Sequence, residues 1–268
     1  MAKTGFTDKV VVIFGATGGL GEAIARALHQ HGASLMLVGR KAEQLQLIAA
    51  QLGNRNAYVL ADITQPQEID DTVTTTVARF GRIDMVINAT GFDVRKPLLA
   101  HTESEIQQTI NINLTGSIHI THAFLPHFIA QNQGIIVHLG GFGDGRLAFP
   151  FYSVDVASRA GLHGFIESVN RELRQMKHAV HVKYFGPTTA DTEAERPYQP
   201  LWQEMGVNIV PPEQIAKALL SAIANNKSVH VMGFGARALT LLNAISPCMA
   251  DVLILNKYGK LLKKYLVS

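Results

Sequence analysis

Apolar positions come in short runs that alternate with segments of helical spacing, from the first residues to about position 232. The runs Val10–Phe14, Ser34–Val38, Ala57–Leu60, Met85–Asn88, Ile135–Leu139, Val180–Phe185 and Val229–Met232 are mostly rich in Val, Ile and Leu. Consecutive apolar residues face both sides of a strand, so these strands are expected to be covered by helices on either face. Helical patterns fill the intervals at Leu20–His31, Ala42–Leu52, Gln67–Phe80, Ser104–Gln131, Ser153–Met176 and Pro212–Asn225. Such alternation with short connections implies right-handed crossovers. The expected fold is α/β, a Rossmann-type doubly wound parallel sheet of about seven strands with helices on both faces.

Two segments break the rhythm. Residues 188–210 form a long proline-containing insert after the sixth strand, and loops of that length are uncommon unless they are lids or disordered. The tail 236–268 has apolar residues at helical spacing and ends in Lys257, Lys260, Lys263 and Lys264. Pro247 and Asp251 argue against a membrane span there. The tail is read as a helix packed on the protein's own surface. Peripheral contact with a bilayer, or cover for a substrate pocket, are its alternatives.

With 268 residues, 47% of them hydrophobic, the chain can bury a large core, and a single domain over 1–268 is expected. A net charge of +3 with no basic stripe before the C-terminus argues against nucleic acid. Cys248 is alone, which excludes an internal disulfide and fits a reducing compartment. The apolar run after Met1-Ala2-Lys3-Thr4 is too short for a signal segment or a membrane span, so a cytoplasmic location is expected.

Chemistry first shows at the end of the first strand, where Gly15-Ala16-Thr17-Gly18-Gly19-Leu20-Gly21 leads directly into a helix. Glycines let the backbone approach a diphosphate, and a helix N-terminus offers unpaired N–H groups at the positive end of its dipole. The strand–loop–helix context is the one a dinucleotide site requires.

The G-x-x-x-G-x-G spacing resembles the glycine motif of the short-chain dehydrogenases/reductases, and further landmarks follow in that family's order. Asp62, with Ile63 beside it, resembles the residue that bonds the adenine ring. Asn88-Ala89-Thr90-Gly91 stands where the family has N-N-A-G. Asn113 matches the active-site asparagine, and Pro187 and Thr192 match the P-G-x-x-x-T segment that folds over the nicotinamide. The resemblance implies a nicotinamide cofactor, a small-molecule substrate and a homodimer built on the long helix carrying Asn113.

Members that use NAD need a carboxylate after the second strand for the adenosine ribose. Here Gly39 takes that place and Arg40 and Lys41 follow, so a guanidinium can pair with a 2′-phosphate. The expected cofactor is NADP(H).

The resemblance fails at the catalytic residues. The family serine should sit at Gly140 or Gly141. Anchored on Ala160 and Leu162, the alignment puts Asp155 in place of the catalytic tyrosine and Arg159 in place of the lysine. A second alignment pairs Tyr152 with Arg159, the Tyr-x6-Lys spacing of enoyl-acyl-carrier-protein reductases with Arg for Lys. Arginine can supply the positive charge a phenolate needs, although it cannot relay a proton. Tyr152 is then either the working acid or part of the pocket wall. Asp155 is either a helix-start aspartate favouring the dipole or a partner for a cationic acceptor such as an iminium.

His119, His122 and His127 lie at spacings that leave no good three-ligand metal face, and His138 is a candidate pocket residue if strand alternation turns it that way. Phe92, Phe149, Phe151, Tyr184, Phe185, Tyr198 and Trp202 are candidates to line an apolar cleft. The sequence therefore points to an NADPH-dependent reductase of a C=C, C=O or C=N group in a largely apolar substrate, using Tyr152, Arg159, Asn113 and Asp155. The alternatives are a nucleotide-binding scaffold or sensor that has lost turnover, and a fold redeployed for a non-redox step.

Overall fold

Alternate residues of the central strands feed two separate cores. Val11, Ile13, Leu35, Leu37, Ile87 and Val137 pack on one face of the sheet, whereas Val12, Phe14, Met36, Val38, Val86 and Ile136 pack on the other. Side chains alternate across a strand, so helices must cover both faces to keep these residues dry. The structure, a computed structural model, describes residues 5–267. Met1–Thr4 and Ser268, at the ends of the domain expected over 1–268, lie outside the described residues.

The strands are β1 (Val10–Phe14), β2 (Ser34–Gly39), β3 (Asn56–Leu60), β4 (Met85–Asn88), β5 (Gly134–Leu139), β6 (Val180–Gly186) and β7 (Val229–Val231). They form one sheet in the order β3-β2-β1-β4-β5-β6-β7, with every pair parallel. Helices α1 (Gly19–Gln30) and α2 (Ala42–Leu52) contribute Ile24, Leu28, Leu45 and Ile48 to the first core. On the opposite face lie α3 (Pro66–Phe80), α4 (Glu103–Ile110), α5 (Gly116–Gln131) and α6 (Ser153–Gln175). Ile69, Phe124, Phe128, Leu162 and Ile166 fill that second core. The chain order reverses between β1 and β4, and a doubly wound sheet opens its crevice beyond the strand ends at such a point.

Two expectations need correction, and the helical tail gains detail. The helix read over Ser104–Gln131 is interrupted by a π-helical turn at Asn111–Thr115, which separates α4 from α5. Amphipathic spacing cannot register one extra residue in a turn, yet such bulges concentrate at functional positions. The insert 188–210 is not one loop, since it holds a short turn at Arg196–Tyr198 and α7 (Gln199–Glu204). The tail folds as a pair, α9 (Phe234–Ile245) and α10 (Pro247–Leu266), after α8 (Pro212–Ile223) and β7. Pro247 opens α10 at its first turn, where a missing N–H costs nothing. Among the described residues no helix is long and apolar enough to cross a membrane.

Candidate active site

The glycine loop follows β1 and closes tightly. Gly15 has φ +77°, and a Cβ there would lie 3.0 Å from the backbone of Ala89 and Thr90 at the end of β4. At Gly21 a Cβ would come within 2.1 Å of the Gly15 carbonyl oxygen, so the loop and the first turn of α1 occupy the same space without side chains. Gly18 precedes α1 and no side chain caps that helix start, which leaves its first amides available to an anion. Thr192 comes in from the insert, with its Cγ2 only 2.8 Å from where a Gly19 Cβ would be. Thr17 lies over Gly39, and Leu20 packs into the first core.

At the far end of this cradle Arg40 and Lys41 follow β2 and are exposed. The Arg40 Nη1 lies 3.5 Å from the Asp62 carboxylate. Burial raises the Asp62 pKa, but hydrogen bonds from the Thr64 amide and hydroxyl, with the charge of Arg40, bring the carboxyl below its usual range. Ile63 is buried against Gly116 at the start of α5. Asn88 is buried and structural: its Oδ1 accepts from the Thr90 amide and hydroxyl, and its Nδ2 donates to Ser117. Pro187 follows β6 and is half-buried.

The π-helical turn carries Asn113 into a buried junction. Its Nδ2 donates to the Phe92 carbonyl at 2.8 Å and to Asp155 Oδ1 at 3.0 Å, while its Oδ1 accepts from the Phe92 amide at 2.9 Å. Arg159 Nε donates to the same Asp155 Oδ1 at 3.2 Å, and its Nη1 reaches the Leu139 carbonyl at the end of β5. Its Nη2 lies 3.1 Å from where a Gly91 Cβ would be, so the guanidinium sits between the ends of β4 and β5. Asp155 and Arg159 are 8% and 7% exposed. A Cβ at Gly141 would sit 3.2 Å from Asp155 Oδ2, so the absence of a side chain at 141 and the acid at 155 belong together. Gly140 has its own cause, since a Cβ there would lie 2.0 Å from the Tyr184 hydroxyl.

Tyr152 stands apart from this pair. Its ring packs near Arg95, whose guanidinium carbon lies 5.4 Å from the ring centre, and the side chain of Arg159 is engaged with Asp155 and Leu139 instead. Its hydroxyl is sealed from solvent with no hydrogen-bond partner among the described residues. Burial pushes this phenol well above its ordinary range, against the opposing charge of Arg95. Phe151, immediately before it, holds φ +69°, a left-handed conformation that costs roughly 1–3 kcal/mol in a residue with a side chain.

The sequence gives no signal for Asp93, Arg95 and Glu195. Arg95 donates to Asp93 and forks onto both oxygens of Glu195 in the insert, and it stacks against Tyr198 at 4.1 Å and Trp202 at 5.3 Å. The Trp202 indole also donates to Glu195. One hundred residues separate Arg95 from Glu195, so local spacing cannot reveal the pairing. Burial and the nearby Asp155 hold the Asp93 carboxyl above its usual range, with Arg95 opposing.

Tyr152, Asp155 and Arg159 line one wall of a narrow cleft of about 60 Å³, closed by Phe142, Leu147, Phe149, Val156, Thr189, Trp202, Met205 and Val207. Of the other aromatic candidates, Tyr184 and Phe185 are core and Tyr198 packs on Arg95. His138 is likewise not a pocket residue. Alternation turns it under α5, where it lies fully buried between Asn88 Nδ2 at 3.2 Å and the Thr121 hydroxyl at 2.9 Å. Burial, then the charge of Arg159, lowers its pKa to about 3.

A fold with this crevice and glycine loop matches the short chain dehydrogenase family model over residues 9–200, and the chain belongs to that family. An uncharacterized oxidoreductase of Staphylococcus aureus (strain USA300) is 31% identical over 229 residues, covering 85% of this chain and 96% of the relative. A second, from Staphylococcus epidermidis, is 34% identical over 192 residues, 72% of this chain and 81% of the relative. Among solved structures, a short chain dehydrogenase from Burkholderia cenocepacia in complex with NADP superposes with TM-score 0.80 and 25% identity, over 93% of this chain and 98% of that one. A short chain dehydrogenase/reductase from Burkholderia phymatum in complex with NAD reaches 0.82 at 20% identity, over 93% and 96%, and shares the fold.

Proposed function

We propose that the chain is an NADP(H)-dependent oxidoreductase whose reacting centre is built on Asp155 and Arg159. The observation that carries this reading is the side-chain-free cradle between Gly15, Gly21 and Ala89, set at an uncapped helix start with Arg40 and Lys41 beyond it. These glycines let the loop backbone close on β4 and on the first turn of α1, which leaves the amides of that helix start facing outward for a diphosphate. The backbone of Gly18–Gly21 would hold the diphosphate, with Thr17 beside it and Thr192 and Pro187 over it. Arg40 and Lys41 would hold the 2′-phosphate and Asp62 and Ile63 the adenine. Asn88 keeps the turn of Ala89, Thr90 and Gly91 against the loop, and Arg159 would bond the ribose hydroxyls on the nicotinamide side. The nicotinamide, when bound, supplies or takes up hydride.

The chain's own part is to place an acceptor in a mostly apolar cleft closed by residues 188–210 as a lid. Trp202, Phe149, Leu147 and Met205 select apolar substrates and exclude water. Among C=C, C=O and C=N acceptors the polar groups favour C=N. Gly140 and Gly141 bring no hydroxyl, burial raises the pKa of the Tyr152 phenol and makes it a poorer acid, and Asp155 Oδ2 takes no hydrogen bond among the described residues. A carboxylate so placed steadies an acceptor that arrives protonated, for which no proton donor is required. Asn113 and Arg159 both act on Asp155 Oδ1 and so aim the free oxygen. Tyr152 is a wall of the cleft in this reading.

NADPH oxidation measured with cyclic imines, ketones and enones tests the proposal. Turnover with imines that disappears in Asp155→Asn and survives in Tyr152→Phe supports it. Tight NADPH binding with no turnover on any class would favour the second reading, a nucleotide-binding scaffold, which Gly141 and Arg159 at altered catalytic positions make the specific rival.

A further inference from the structure

The α9–α10 pair has two unlike faces. Its inner face is core: Ala250 and Ile254 pack on Leu147, and Leu262 and Leu266 pack on Tyr152 and Trp202. These are residues of the cleft and its lid, so the hairpin walls the candidate substrate pocket from outside. Its outer face is apolar as well. Leu241, Ile245, Met249, Val252, Leu253 and Leu255 are 46–74% exposed, and Phe234 at the start of α9 is 87% exposed. Single exposed apolar side chains are ordinary, but a contiguous group of this size marks a contact surface.

Charge along the hairpin says what kind of surface. From Ala238 to Asn256 the only charged residue is Asp251, and then Lys257, Lys260, Lys263 and Lys264 follow at helical spacing. Residues 234–267 hold five basic residues and one acid, whereas the remaining chain holds nineteen basic and twenty acidic residues. The protein's positive charge is therefore concentrated beside this apolar face. Lysines are depleted from the cores of protein–protein interfaces. At a bilayer they are favoured, because their stems lie along apolar surface while the ammonium groups meet anionic headgroups. Lys264 is engaged with Glu204 in the insert, and Lys257, Lys260 and Lys263 are exposed.

We propose that the outer face of the α9–α10 hairpin rests in the interfacial layer of an anionic lipid bilayer. Neither helix can cross the membrane, and Asp251 keeps α10 at headgroup depth, so the hairpin lies along the surface. The pocket wall is then also the membrane-facing element, and an apolar substrate dissolved in the bilayer reaches the cleft without crossing water.

The test is sedimentation of the full chain with vesicles of phosphatidylcholine alone and of phosphatidylcholine mixed with phosphatidylglycerol. The wild type is expected to pellet with the mixed vesicles, far less with the neutral ones, and to be released by salt. Lys257→Gln, Lys260→Gln and Lys263→Gln together should weaken binding to mixed vesicles on the order of a hundredfold. Ile245→Glu with Leu253→Glu should abolish binding to both, with an unchanged unfolding midpoint showing that the fold is kept. The proposal is overturned if the wild type stays in the supernatant with both vesicles, or if both variant sets bind as the wild type does. It is equally overturned if light scattering shows an oligomer that the glutamates dissociate while vesicles capture nothing, since a second copy would then own the face.

Discussion

Removing the Asp155 carboxylate separates the two roles assigned to it. Asp155 and Arg159 are nearly sealed from solvent, at 8% and 7% exposure, and their 3.2 Å contact is joined by Asn113 at 3.0 Å. Deleting one partner of such a buried pair costs about 3–5 kcal/mol, because the surviving charge loses its compensation. Asp155→Ala leaves Arg159 with the Leu139 carbonyl at 3.3 Å as its remaining acceptor, which places the cost near the lower bound, about 3 kcal/mol. For a chain of 268 residues that is a fall in Tm on the order of 10 °C. Asp155→Asn keeps an acceptor oxygen and loses only the charge assistance, about 1–2 kcal/mol. Arg159→Met alone strands the carboxylate, whereas the double variant Asp155→Ala/Arg159→Met strands nothing. Its loss should fall short of the sum of the single losses by about 2 kcal/mol. Urea unfolding followed by circular dichroism, on the wild type and these variants at one pH, measures the whole cycle. Additive losses, or Asp155→Ala within about 0.5 kcal/mol of wild type, would refute the pairing on which the site is built.

Three further outcomes follow from particular contacts. Gly21→Ala drives a methyl group into the Gly15 carbonyl, so backbone must move; we expect about 1–3 kcal/mol of lost stability and loss of dinucleotide binding, read by unfolding and by calorimetry. His138 takes up a proton near pH 6.5 when unfolded but only near pH 3 when folded. Stability therefore falls as pH drops through that window, by roughly 1.4 kcal/mol per unit, and the slope should flatten in His138→Gln. An unchanged slope would show that the histidine is not buried in its neutral form. Tyr152→Phe removes a hydroxyl that has no partner, so unfolding should shift by less than about 0.5 kcal/mol and turnover should persist within a few fold. Collapse of turnover with intact folding would instead make Tyr152 the proton donor.

Much of the scaffold was legible because it rests on short-range rules. Runs such as Val10–Phe14 can only be strands covered on both faces, and the two cores alternate residue by residue as that reading requires. The glycine loop was legible for a related reason, since Gly15 and Gly21 answer local steric demands. Asn113 was singled out by its place in a motif, but the π-helical turn that carries it was not, since periodicity tolerates one extra residue. Spacing also suggested that Arg159 would serve Tyr152. Side-chain direction decides otherwise, because positions 155 and 159 are one helical turn apart on one face of α6 and meet there, while Tyr152 precedes the helix. Arg95 and Glu195 were out of reach altogether, joined only by the tertiary fold.

Isothermal calorimetry of the purified full chain with NADPH and with NADH bears most directly on the account. We expect NADPH to bind at least about tenfold more tightly than NADH, and Arg40→Ala to erase the difference by weakening NADPH alone. The margin is modest because Arg40 is exposed and must leave Asp62 to meet a phosphate. Equal affinities would contradict the cofactor assignment, and heat from neither dinucleotide would contradict the reading of the glycine loop itself.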